Sequence, residues 1–113
     1  MELPNKFNAF ISASKISEYL LSETHAVGKS KAKFFRSFGF DETNLEQFEQ
    51  NLIDIAKTQV VTETNHNNYG IKYVIDGNIV TPNGVTISVR TVWIIETGDT
   101  IPRLVTAHPL EQE

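Results

Sequence analysis

The hydrophobic pattern of this chain changes period once, from helical to alternating, near Lys57. Beyond that point the longest strand-like run is Val85 to Thr97, VTISVRTVWIIET. At period two, Val85, Ile87, Val89, Thr91, Trp93, Ile95 and Thr97 take one face. Thr86, Ser88, Arg90, Val92, Ile94 and Glu96 take the other. The first face is nearly all apolar, and the second turns apolar only at Val92 and Ile94. This predicts a central strand covered by helices on one side and partly covered on the other. Trp93, set among apolar neighbours, reads as core rather than as a platform for stacking bases.

Ahead of Lys57 the pattern predicts helices. The opening ELPN is an extended lead-in, with Phe7, Phe10 and Ile11 docking it on the core. Ser12 and Ser14 are both candidate N-caps of a short helix that carries Ile16, Tyr19, Leu20 and Leu21 inward and ends near Ser22 or Glu23. A second helix runs from about Lys29 to Ser37, bounded by Gly28 and Gly39. Its inner edge is aromatic (Phe34, Phe35, Phe38), and Lys29, Lys33 and Arg36 recur at i, i+4 and i+7 as a basic outer stripe. Asp41 or Thr43 caps a third helix in which Leu45, Phe48, Leu52, Ile55 and Ala56 share a face and the acids occupy the solvated side.

The alternating half predicts a strand at Thr58–Thr64, a turn at Asn65–Gly70, and a strand at Ile71–Gly77. A Thr-Pro-Asn-Gly hairpin turn at Thr81–Gly84 feeds the central strand, and a reversal at Gly98, Asp99 and Pro102 returns through Arg103–His108 to a short acidic tail. Helices first and hairpin-linked strands afterwards make an α+β fold: about three N-terminal helices packed on one face of a four-stranded antiparallel β-meander, with residues 1–113 as a single domain.

A chain of 113 residues is long enough to bury its own core. The absence of cysteine excludes disulfides, thiolate zinc sites and a cysteine nucleophile. No stretch has the apolar length of a signal or membrane-spanning segment, so the expectation is a soluble cytoplasmic protein with no membrane contact. The net charge of −4 argues against nonspecific coating of nucleic acid. That average conceals a segregation: His25 to Phe38 carries Lys29, Lys31, Lys33 and Arg36 with no acid, and Asp41 to Asp54 carries five acids with no base.

Gly28-Lys29-Ser30 resembles the end of a phosphate-binding P-loop, but Glu23 stands where its first glycine is required. His25, His66 and His108 are far apart and lack acidic pairs at ligand spacing, so neither metal nor cofactor is expected. Two sets of side chains remain. His25 with Lys29, Lys31, Lys33 and Arg36 opens a helix and forms a candidate anion site. Arg90, Thr106 and His108 come from two adjacent strands. Should both sets face one groove, His25 and His108 can act as base and acid while Lys31 or Arg90 stabilises phosphorane charge, which is the chemistry of metal-free RNA cleavage by the 2′-hydroxyl. The plainer reading makes the lysines a solvated face and pairs Arg90 with Glu96 or Glu63.

The LPN near the start, the Leu-Leu helix, the segment HAVGKSKAKFFRSFGF and the closing VRTVWIIETGDTIPRLVTAHP together resemble a family of small bacterial and archaeal proteins catalogued as a domain of unknown function. Helices followed by a meander ending in Leu-Val-Thr-Ala-x-Pro are also similar to the metal-independent ribonuclease toxin superfamily of barnase, colicin D and RelE-like proteins. That second resemblance implies RNA as substrate, with catalytic roles at His25, Lys31, Arg90 and Thr106 and substrate contacts at Lys29, Lys33, Arg36 and His108. This chain has His108 where that motif carries tyrosine. The alternative is a noncatalytic interaction module or toxin partner that docks through its basic and acidic helices. A further option is a homodimer paired through the sheet face around Val92 and Ile94.

Overall fold

The structure, a computed structural model, describes residues 1–22 and 29–110. His25 and the acidic tail lie outside the described residues, as do the side chains of Tyr19 and Lys29. Strands β1 (Glu63–Asn67), β2 (Gly70–Val80), β3 (Thr86–Glu96) and β4 (Arg103–Pro109) form one sheet in the order β1-β2-β3-β4, every neighbouring pair antiparallel. A 3₁₀ turn at Lys6–Asn8 and the helices α1 (Ala13–Lys15, continuing as a π-helical turn Ile16–Leu20), α2 (Lys29–Ser37) and α3 (Leu45–Thr58) precede the sheet. This is the predicted α+β meander.

β3 is central in the way its alternation requires. Ile87, Val89, Thr91 and Trp93 are buried toward the helices. Thr91 is the one polar side chain in that row, and its position is explained by its bonds: its hydroxyl donates to the Ile75 carbonyl at 2.7 Å and accepts from Trp93 Nε1 at 2.8 Å. The indole therefore enters the core without leaving its N–H unpaired. α3 lies against β2, and Gly77 permits this contact, since a Cβ there would stand 2.9 Å from Ile55 Cγ1. Phe35 of α2, Phe48 of α3 and Phe40 of the connection between these helices nest together, with ring centroids 4.8 Å apart for Phe35–Phe48 and 4.4 Å for Phe40–Phe48.

α2 carries the basic segment, and several contacts fix its place. Arg36 Nε and Nη2 donate to the Leu21 carbonyl at 2.9 and 2.7 Å, tying α2 to the end of the preceding helical turn. At the other end Asn83 of the β2–β3 turn donates from its backbone to Phe38 O and from its side chain to Ser37 O, each at 3.3 Å. Gly39 makes that approach possible: its φ is +103°, and a Cβ there would meet Asn83 Oδ1 at 2.8 Å.

The structure corrects several local expectations. β1 occupies Glu63–Asn67, so the first half of the stretch predicted to be a turn belongs to an edge strand. All five residues are exposed, so no hydrophobic alternation marks it, and the Asn67 side chain closes the turn by accepting from Tyr69 N and Gly70 N. β2 runs on to Val80, beyond the expected end at Gly77. Leu3, Ala9 and Ile11 dock the N-terminal segment, whereas Phe7 and Phe10 are exposed. Ser12, not Ser14, caps α1, accepting from Lys15 N at 3.3 Å. Neither Asp41 nor Thr43 caps α3. Asn44 holds that place without a side-chain cap, and Asp41 instead accepts from Thr43 within the turn.

Candidate functional site

The face of the sheet turned away from the core carries rows of side chains set by register. Asp76, Arg90 and His108 are successive partners across β2, β3 and β4; Val74, Val92 and Thr106 form the next row, and Lys72, Ile94 and Arg103 the row after it. One irregularity decides the membership of these rows. Trp93 pairs with Leu104 but Val92 pairs with Thr106, so Val105 is an extra residue on β4. Leu104 and Ala107 are both buried, which strict alternation from Leu104 would forbid. The bulge thus turns Thr106 and His108 onto the face of Arg90, where an unbroken strand would send them into the core.

Lys31 reaches the same place from the first turn of α2. Its Nζ donates to Thr106 Oγ1 at 2.9 Å in a part-buried setting. Four of the eight predicted site residues, Lys31, Arg90, Thr106 and His108, therefore belong to one neighbourhood at the β3–β4 edge. Lys33 is exposed on α2. Arg36 faces elsewhere, holding Leu21 O and forming a bidentate ion pair with Glu42.

Neither sequence-suggested partner of Arg90 is the one found. Its Nε and Nη2 donate to Asp76 Oδ1 and Oδ2 at 2.8 and 3.0 Å, a fork-to-fork pair across β2 and β3. The Asp76 hydrogen bond and charge hold the Arg90 guanidinium even further above its ordinary value. Asp76 thus offsets much of the attraction that Arg90 offers an anion. Asp76 was missed because only the β2–β3 register brings it opposite Arg90. The Val105 bulge had no sequence signal at all.

Two apolar features complete the surroundings. Val74 and Ile94, on the outer face, are each 6% exposed, so the open patch expected around Val92 and Ile94 is largely closed within the chain. Past the end of β4, a cavity of about 450 Å³ opens between α2 and the start of β3, lined by Phe34, Phe38, Val85–Ser88, Pro109 and Leu110. Among the described residues no three His, Asp or Glu side chains gather as metal ligands, and no helix is long and apolar enough to cross a membrane.

The Arg36–Glu42 pair makes a pH-dependent contribution. The Arg36 hydrogen bond lowers the Glu42 carboxyl from 4.5 to about 2. A depressed carboxylate stabilises the fold above its unfolded value, and that contribution is lost as pH falls through the folded one. The pair is exposed, so the effect is small and weakened by salt. Wild type is expected to melt slightly above Glu42→Gln near neutral pH, the difference shrinking between pH 4.5 and about 2. A difference that does not change over that interval would remove Arg36 as its cause.

Comparison with known proteins supports the architecture. The chain superposes on a chain of the contact-dependent growth inhibition toxin–immunity protein complex from Klebsiella pneumoniae 342, with a TM-score of 0.71 at 13% identity, covering 96% of this chain and 98% of that one. At that identity the likeness is one of fold. No curated protein matches the sequence. A family model matches residues 2–111, and the chain belongs to that family, described as a domain of unknown function, DUF6883.

Proposed function

We propose that this domain binds RNA along the β3–β4 edge and cleaves it without a metal, as ribonuclease-type toxins do. The observation that carries this reading is the Lys31–Thr106 contact at 2.9 Å, beside a bulge that sets His108 and Arg90 on the same face. A phosphodiester placed there has a primary ammonium, a guanidinium and a hydroxyl within one row or the next. In the reaction the 2′-hydroxyl attacks the adjacent phosphorus. The bond to the 5′-oxygen breaks, leaving a 2′,3′-cyclic phosphate and a free 5′-hydroxyl. Lys31 and Arg90 stabilise the charge that builds on the non-bridging oxygens. Thr106 orients the Lys31 ammonium, and its own hydroxyl proton is available to the phosphate. His108 is placed to exchange a proton with an attacking or leaving oxygen. His25, just before α2 in the sequence, is the natural second proton-transfer group. The fold likeness to a chain of a toxin–immunity complex supports a toxin-type role, and a partner protein that covers this edge fits the same reading.

The test is incubation with total RNA and with tRNA in EDTA, beside a Lys31→Ala, His108→Ala double variant of matched melting temperature. Cleavage by wild type that ends in cyclic phosphates, and its loss in the variant, is the expected result. Two folded preparations that both leave RNA intact would end the enzymatic reading in favour of a noncatalytic interaction module.

A further inference from the structure

The cavity beyond the end of β4 is lined by Pro109, the residue after His108, and by Ser88, two positions from Arg90, and its apolar chemistry differs from that of the proposed cleavage site in a way that points to a second substrate contact. Lys31 and Phe34 stand at i and i+3 on α2, and Phe38, the residue after its last turn, sets its ring 5.0 Å from that of Phe34. On the opposite wall, Ser88 shares the outer face with Arg90, and Pro109 follows His108 directly. The cationic, hydrogen-bonding residues and the aromatic, apolar cavity are thus neighbours along α2, β3 and β4.

Both rings are incompletely buried, although Phe35 between them in sequence is wholly buried. Their centroids lie 5.0 Å apart with a 54° tilt, so they offer two differently oriented faces rather than one closed stack. The backbone adds polar groups. Leu110 N donates to Ser88 O at 3.0 Å, which shows that Ser88 turns its peptide groups toward β4. By the alternation of antiparallel pairing, Thr86, which lines the cavity, turns its N–H and C=O to the same side of β3. A volume of about 450 Å³ lies in the range of small-molecule pockets and accommodates a nucleoside.

We propose that this cavity is a nucleobase subsite: an unpaired base of the RNA stacks on Phe34 or Phe38 with its edge toward the Thr86 backbone, while its phosphate is held by Lys31 and Arg90. The proposal rests on the ribonuclease reading for the phosphate position and adds the substrate class, single-stranded RNA with a splayed-out base. Stacking on an aromatic side chain tolerates any base, so the subsite selects unpaired over paired RNA more than one sequence over another. It also accounts for RNA binding by an acidic chain: base stacking supplies affinity that its few phosphate contacts do not.

The experiment uses a 2′-O-methylated single-stranded oligoribonucleotide, which cannot be cleaved, and a version of equal length with abasic sugars. The base-bearing strand is expected to bind wild type about tenfold or more tightly than the abasic one. Phe38→Leu and Phe34→Leu, which keep an apolar side chain against Phe35, are expected to remove that advantage while leaving inorganic phosphate binding unchanged. Equal binding of the two strands by wild type overturns the subsite, and so does an advantage that persists in both leucine variants. Failure of the subsite is distinct from failure of the enzyme reading. Cleavage without any base contribution leaves the ribonuclease and removes the subsite; base-dependent binding without cleavage of ordinary RNA does the reverse.

Discussion

Lys31→Ala is expected to lower the rate of RNA cleavage by about 10²-fold or more, with little change in melting temperature. At the β3–β4 edge the ammonium donates to Thr106 Oγ1, and Arg90 faces the Asp76 carboxylate on two atoms. A phosphate approaching Arg90 must compete with that carboxylate for both guanidinium nitrogens. The order of effects therefore runs Lys31→Ala above Arg90→Ala. Thr106→Val removes the acceptor but keeps the charge, so it falls below Lys31→Ala, and combining the two costs less than the sum because they act through one contact. Lys31→Arg restores charge with a different donor geometry and recovers part of the rate. Single-turnover cleavage in EDTA measures all five variants. Arg90→Ala proving more damaging than Lys31→Ala would move the phosphate site away from α2.

The helices and the central strand were legible because each repeats a pattern long enough to have only one solution. Phe48, Leu52, Ile55 and Ala56 line one face of α3, and Ile87, Val89 and Trp93 line one face of β3, as the spacing requires. β1 was misplaced because its five exposed residues carry no alternation, and it exists by pairing with β2 rather than by any preference of Glu-Thr-Asn-His-Asn. The candidate site was nameable as residue types but not as an arrangement. Lys31, Arg90, Thr106 and His108 could be named, yet their meeting depends on the bulge at Val105 and on the docking of α2, both of which are tertiary. Partner choice was equally opaque: Asp76 is fourteen positions from Arg90 in sequence and directly opposite it in register. The cavity beside Phe34 and Phe38 was hidden for a related reason. Helical spacing puts them beside Phe35 as an inner edge, and only the end of β4 leaves them facing a cavity.

Phe35→Ala is expected to destabilise the fold by about 3–5 kcal/mol. Phe35 is fully buried, and its ring contacts Phe34 edge-on at 5.5 Å, Phe48 at 4.8 Å and Phe40 at 6.5 Å, so truncation empties the centre of an aromatic nest that has no spare side chain to refill it. In a domain whose whole stability is on the order of 5–15 kcal/mol, this corresponds to a melting temperature lower by more than about 10 °C. The consequence reaches the site because α2 is nine residues long and marginal by itself. Its position is set by Phe35 on the inside, by Arg36 on Leu21 O, and by Asn83 at its end. Loosening the first of these lets Lys31 drift from Thr106, so Phe35→Ala protein that is still folded at low temperature loses cleavage as well as stability. Phe35→Leu, which keeps most of the volume, loses less of both. Denaturant unfolding followed by cleavage at a temperature where every variant is folded separates the two effects. A Phe35→Ala protein destabilised by less than about 1 kcal/mol, or fully active when folded, would show that α2 holds Lys31 in place without the aromatic nest.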